Sequence, residues 1–259
     1  MKPLIKWSGG KSREINNFHK FYPSDFKLFI EPFVGGGAVF FNLNFSKNVI
    51  SDVHKELVIF YQQIKNGKAK EIYKLMSKFE NTENDYYFIR DSFTPSNEVE
   101  IAFKFFYLRK TCFRGMLRYN KKGKFNIPYG RYKRYNYEEV LCDSYEKLLR
   151  RTDILNTDFK EVFNKYNDKN NFVFLDPPYD SRFTNYGYCN FDRENHKCLH
   201  KCFIETKNKC LLIIGKTEFI KKMYKEYVYG EYNKSYAFKI HSNRIGSEIN
   251  NSHLIIKNY

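Results

Sequence analysis

Acidic residues are missing from one long stretch of this chain. Between Ile101 and Tyr137 there is not one Asp or Glu. The same stretch carries Lys104, Arg109, Lys110, Arg114, Arg118, Lys121, Lys122, Lys124, Arg131, Lys133 and Arg134. A chain rich in Lys, Asn, Ile, Phe and Tyr can scatter lysines over a solvated surface, but scatter does not readily clear every acid from such a window. The block points to phosphate contact, and the formal net charge of +16 agrees with a polyanionic partner. No apolar run is long enough to cross a membrane, and the opening residues MKPLIKWSGG lack the apolar stretch of a signal peptide. These absences predict a soluble, cytoplasmic protein. There is no CxxC pair among Cys112, Cys142, Cys189, Cys198, Cys202 and Cys210, so reduced thiols are expected. In HKCLHKC (196–202) the pairs His196/His200 and Cys198/Cys202 would point in different directions on a helix. Zinc needs four converging ligands, so no metal is expected.

Hydrophobic residues make up 42% of the 259, enough to bury a core. KLFIEPFV (27–34) is a short apolar run ending in a triple glycine (35–37), which suggests strand, glycine turn and helix. NVISDV (48–53), DILNTDF (153–159), NFVFLDPPY (171–179), CLLIIG (210–215) and the closing SHLIIKNY supply further strands. Helical spacing appears in 54–65, 68–80, 98–110, 138–151 and 193–207. RYNKKGKFNIPYGRY (118–132) mixes Gly, Pro and aromatics and suggests a hairpin-like loop. Strands alternating with helices imply a mostly parallel sheet covered on both faces, with ligands at the carboxyl ends of its strands. That rule gathers Phe33 to Gly37, Asp52, Asp158 and Asp176 to Tyr179 on one edge.

KWSGGKS (6–12) ends like a nucleotide-binding P-loop. The glycine that such a loop needs five residues before Gly10 is Ile5, and MKPLI is too short for the preceding strand. The DPPY at 176–179 suits another chemistry. An exocyclic amine on a nucleobase is a poor nucleophile, because its lone pair is delocalised into the ring. A carboxylate and a carbonyl can hold its two N–H groups while the nitrogen becomes tetrahedral. Asp176 and the Pro177 carbonyl stand at a strand end where this is possible, and the prolines stiffen the loop. Tyr179 offers a ring for a base turned out of its stack. Asp52 ends the second strand, where a nucleotide-type site needs an acid for ribose hydroxyls.

Together these pieces resemble the Dam-type, α-class DNA adenine-N6 methyltransferases. KWSGGKS, FIEPFVGGGAVFFNL, SDVHKELV, TCFRGMLRYNKKGKFNIPYGRY, FLDPPY and SEINNSHLIIKNY follow the family order over nearly the whole chain. The resemblance implies an α/β fold: a Rossmann-like seven-stranded sheet binding S-adenosylmethionine, with an inserted helical and β-hairpin DNA-recognition domain. The catalytic domain would span 1–56 and 137–259, and the recognition domain 57–136. The implied cofactor is S-adenosylmethionine, bordered by Trp7, Lys11, Phe33, Gly35, Gly37, Asp52, Asp158, Phe159 and Asp176. Asp176, Pro177 and Tyr179 would form the catalytic loop. Lys6, Phe113, Arg114, Met116, Arg118, Asn120, Pro128 and Arg131 would meet double-stranded DNA, Arg118 reading a guanine and Phe113 entering the stack. The likeness implies a GATC site and a monomer or weak dimer of bacterial, phage or viral origin, with a cognate restriction endonuclease as a separate partner.

Arg114 stands where the family leads one to expect a smaller polar residue such as Asn. IIGKTEF (213–219) lacks the Ser, Asn or Asp usual after that strand. A C5-cytosine enzyme would need a cysteine nucleophile, and no proline here precedes a cysteine. The competing readings are an N4-cytosine methyltransferase, more often with Ser at position 176, and a catalytically silent DNA-binding protein of the same fold.

Overall fold

The structure is a computed structural model describing residues 1–180, 191–235 and 250–259. Its strands are β1 (Leu28–Glu31), β2 (Asn48–Ser51), β3 (Thr152–Leu155), β4 (Asn171–Leu175), β5 (Lys209–Gly215), β6 (Val228–Ser235) and β7 (Asn250–Lys257). They form one seven-stranded sheet in the order β3-β2-β1-β4-β5-β7-β6. The first five run parallel, and β7 is inserted antiparallel between β5 and β6. This is the mostly parallel sheet of a Rossmann-like fold.

The helices are α1 (Ile15–Phe18), α2 (Ala38–Leu43), α3 (Lys55–Lys65), α4 (Ala69–Met76), α5 (Glu83–Tyr87), α6 (Glu98–Thr111), α7 (Asp143–Arg150), α8 (Phe159–Lys165), α9 (Arg193–Glu205) and α10 (Glu218–Met223). Alternation along the strands explains why helices cover both faces. Phe29, Phe172, Phe174, Leu211 and Ile213 point into one core with the aromatic residues of α2, α3 and α6. Ile30, Val173, Leu175, Leu212 and Ile214 point into the other, against α8, α9 and α10. Every residue of β2 and β4 is buried, as expected of central parallel strands.

Residues 57–136 contribute no strand to the sheet among the described residues. The hairpin-like loop expected at 118–132 overlaps a run closed by isolated antiparallel bridges Cys112–Tyr129 and Tyr119–Phe125. Two expectations need correction. The helix over 138–151 is interrupted: a 3-10 turn at Glu138–Leu141 precedes α7, with extended backbone at Cys142 between them. The strand β6 has no counterpart in the sequence reading. Its residues VYGEYNKS are mostly polar, and it forms an edge where only β7 pairs with it.

Candidate functional site: a crevice at the reversal of strand order

The strand order reverses between β1 and β4, and sheets of this kind bind ligands beyond the carboxyl ends of the strands at such a point. The segments that the sequence placed on one edge meet at this point. Gly35, in the turn after β1, has φ +46°, and a Cβ there would lie 2.5 Å from the Trp7 indole nitrogen. Only a glycine lets this backbone cross so close to the ring. A Cβ on Gly37 would meet the Phe41 ring at 2.9 Å. Asp52, just past β2, accepts the Gly35 N–H at 3.0 Å and the His54 N–H at 2.9 Å. Burial raises its carboxyl to about 6 despite these hydrogen bonds. Phe33 lies 5.5 Å from Phe159 and 5.7 Å from Phe191, giving the crevice an aromatic wall. Asp158 caps α8 by accepting the Lys160 N–H, and its side chain is 42% exposed.

Asp176 follows β4 directly. Both its oxygens accept from the Lys11 ammonium, at 2.6 and 2.7 Å. Burial pushes the Asp176 carboxyl above its ordinary range, and Lys11 opposes that rise. Asp180 anchors the far end of the same loop, accepting from Arg193 at 3.1 Å and from the Thr217 hydroxyl at 3.0 Å. The loop is therefore held at both ends before any substrate arrives. The Tyr179 ring rests on the end of β5, where a Cβ on Gly215 would come within 3.1 Å. Gly215, the last residue of β5, makes room for the ring. His253 of β7 meets Tyr179 edge-on at 5.2 Å.

These residues fit S-adenosylmethionine. Asp52 would offer lone pairs to ribose hydroxyls, Lys11 and Asp176 would match the charges of an amino-acid moiety, and the phenylalanines would offer a face to an adenine ring.

The DNA-side residues are less uniform. Phe113, Arg114, Arg118, Asn120, Pro128 and Arg131 are exposed, Met116 is half-buried, and Lys6 is exposed with its ammonium 4.3 Å from the Tyr132 ring. Arg118 donates from Nε to the Asn126 side chain at 2.8 Å. Asn120 accepts the Lys122 and Lys124 N–H groups, so its carbonyl closes the hairpin turn. Arg131 pairs with Glu83 at 3.1 Å. Of the eleven basic residues in the acid-free stretch, Arg109 is buried, Lys110 is mostly buried and pairs with Glu139, and Lys104 donates to the Phe93 carbonyl. The remaining eight are exposed.

Several residues escaped the sequence reading. Glu31 is buried inside an apolar strand and accepts the Phe40 N–H, and burial holds its carboxyl well above the usual range. His54 accepts the Leu57 N–H on Nδ1 and lies 2.7 Å from the Tyr119 hydroxyl on Nε2. Glu14 is buried against His253 at 2.9 Å and the Tyr232 hydroxyl at 2.8 Å. An acid within an apolar run was a usable signal for Glu31. Nothing local marked Glu14 or His253, which meet from opposite ends of the chain. The two imidazoles of HKCLHKC serve separate packings, His196 against Phe191 and His200 against Tyr224. Among the described residues no His, Cys, Asp and Glu cluster suited to a metal occurs. Cys189 and residues 247–249 of the terminal motif lie outside the described residues.

A glycine turn, a buried acid after β2 and a braced Asp-Pro-Pro-Tyr loop thus stand together at the carboxyl ends of the parallel strands. The family model for D12 class N6 adenine-specific DNA methyltransferases matches residues 7–242. The chain is 54% identical to the Type II methyltransferase M.CviBI of Paramecium bursaria Chlorella virus NC1A, covering 100% of both chains. It is 36% identical to the Type II methyltransferase M.MjaIII of Methanocaldococcus jannaschii, over 78% of this chain and 79% of the relative. It is 31% identical to a DNA adenine methylase of Haemophilus influenzae, over 86% and 82%. The chain belongs to the D12 class of N6 adenine-specific DNA methyltransferases.

Proposed function

We propose that the chain methylates adenine N6 in double-stranded DNA at GATC, using S-adenosylmethionine, with the base turned out of the helix into the crevice. The observation that carries this reading is the Asp176–Tyr179 loop, braced by Lys11 at one end and by Arg193 and Thr217 at the other. When bound, S-adenosylmethionine supplies an electrophilic methyl group on a sulfonium. Trp7, Lys11, Phe33, Gly35, Gly37, Asp52, Asp158 and Phe159 would hold it. Asp176 and the Pro177 carbonyl accept the two N6 hydrogens, so the nitrogen lone pair is freed from the ring. With S-adenosylmethionine bound, the freed lone pair would take up its methyl group, leaving S-adenosylhomocysteine, and one N6 proton would be lost to solvent. Tyr179 stacks on the extruded base.

In this reading 1–56 and 137–259 do the chemistry, and 57–136 reads the DNA. Arg118 donates from Nε and Nη2 to Asn126, and its guanidinium would meet a guanine O6/N7 pair. Met116 and Pro128 offer apolar contacts for a thymine methyl. Lys6, Phe113, Arg114, Asn120 and Arg131 complete that face. Relatives named as type II methyltransferases favour a place in restriction–modification, beside an endonuclease acting separately. The test is to methylate a random duplex library with labelled S-adenosylmethionine and map every modified base. N6-methyladenine confined to GATC is expected. Label on cytosine N4, or no N6-methyladenine at any motif, would overturn the reading.

A further inference from the structure

Arg109, at the end of α6, is the largest fully buried side chain among the described residues. Its Nη1 donates to the Met116 carbonyl at 2.6 Å, and its Nη2 donates to the carbonyls of Gly115 and Lys6. Its guanidinium carbon stands 5.4 Å from the centre of the Trp7 ring. One rigid fork thus ties two segments about a hundred residues apart: the N-terminal turn bearing Lys6 and Trp7, and the turn Phe113–Met116. The second turn lies directly on the first, because a Cβ on Gly115 (φ +61°) would come 2.7 Å from the Cβ of Lys6. A buried guanidinium is costly unless its donors find acceptors, and three converging carbonyls engage both Nη groups in a geometry a lysine cannot reproduce.

The placement of Trp7 gives the fork its meaning. On one side the indole fills the space over Gly35. On the other it rests against Arg109, and its edge meets His54 at 5.6 Å, which in turn contacts Tyr119 of the hairpin. A packed line runs from the glycine turn through Trp7 and Arg109 to the backbone of the residues proposed to touch DNA. The sequence reading counted Arg109 among phosphate-binding cations, yet its burial removes it from DNA contact.

We propose that Arg109 is a positioning residue that couples the methyl-donor pocket to the DNA-reading turn, so that donor and duplex bind cooperatively. The proposal rests on the placement of the two ligands given above. A ligand pressing on Trp7 shifts the guanidinium, and the guanidinium carries Lys6 and residues 113–116 with it. Such coupling is reciprocal, because each ligand must tighten the other by the same factor.

Trp7 is the only tryptophan in the chain, so its emission reports on this line alone. The experiment titrates the full chain with S-adenosylhomocysteine, with and without a saturating GATC duplex, and repeats the duplex titration by anisotropy with and without S-adenosylhomocysteine. Each ligand should tighten the other about tenfold. In Arg109→Lys the melting temperature is measured alongside, and the mutual effect should fall to within twofold of none, with S-adenosylhomocysteine affinity alone little changed. Independent binding in the wild-type chain overturns the coupling while leaving the function standing, and this arm needs no variant to fold. A destabilised Arg109→Lys that keeps the mutual effect assigns Arg109 to stability only and also overturns it. Wild-type emission that ignores S-adenosylhomocysteine overturns the placement of the donor, and the coupling with it.

Discussion

Arg114 holds a left-handed backbone conformation, φ +53°, at the tip of the turn beside Phe113. A left-handed residue other than glycine or Asn costs roughly 1 kcal/mol. This explains why a small polar residue is expected there: the conformation favours it. The guanidinium lies 5.2 Å from the exposed Phe113 ring, on the face proposed to meet DNA. Arg114→Asn should therefore gain about 1 kcal/mol of stability in denaturant melts and lose duplex affinity. A variant that gains neither stability nor loses affinity would show that the strain has no price and the cation no role. Asp52 makes a second prediction at this scale. Its folded value near 6 lies above the ordinary 3.8, so its proton stabilises the fold below about 3.8 and that contribution is lost as the pH rises through about 6. Ionised Asp52 is thus a strained group that ribose hydroxyls can relieve. The thermal shift given by S-adenosylhomocysteine should be larger at pH 7 than at pH 5, and Asp52→Asn should flatten the difference. Equal shifts at both values in the wild-type chain would remove Asp52 from the donor site.

At the scale of elements, the antiparallel pair β6 and β7 does more than extend the sheet. It carries Tyr232, Lys234 and His253 to the buried Glu14 just before α1. Burial alone would raise Glu14, but the hydrogen bond from His253 and the nearby Lys11 and Lys234 bring it down to about 2. The sign follows from that depression. The contribution is full above the ordinary 4.5 and is lost as the pH falls toward 2, with a size of about 3 kcal/mol. Glu14→Gln should lower stability at pH 7 and lose much of the acid sensitivity between pH 4.5 and 2, measured by urea melts. An unchanged acid limb would contradict the assignment. The strands with continuous apolar runs, β4 and β5, were plain in the sequence because central parallel strands are buried on both faces. β6 was not, since an edge strand carrying Glu231, Asn233 and Lys234 looks like a loop. The glycine turn and the Asp-Pro-Pro-Tyr loop were legible because each is local. Glu14, Arg109 and His253 were not, because their partners are brought to them only by folding, and a buried arginine inside a basic run looks like its exposed neighbours.

At the scale of the whole molecule, positive charge gathers on the stretch proposed to meet DNA. Eight exposed cations remain in the acid-free stretch once Lys104, Arg109 and Lys110 are set aside as internal. If six of them met phosphates, log affinity against log salt would slope by about −5. A slope near zero would show that the basic block does not meet the DNA backbone. Among the described residues no helix is long and apolar enough to cross a membrane. The account's central claim is that Asp176 acts on the target amine from a loop that the fold has already set in place. The most direct test compares Asp176→Ala with the wild-type chain, in single-turnover transfer and in duplex affinity measured without the donor. The account predicts transfer slowed by at least about a hundredfold, with duplex affinity within about threefold. Near-normal transfer by the variant would contradict it.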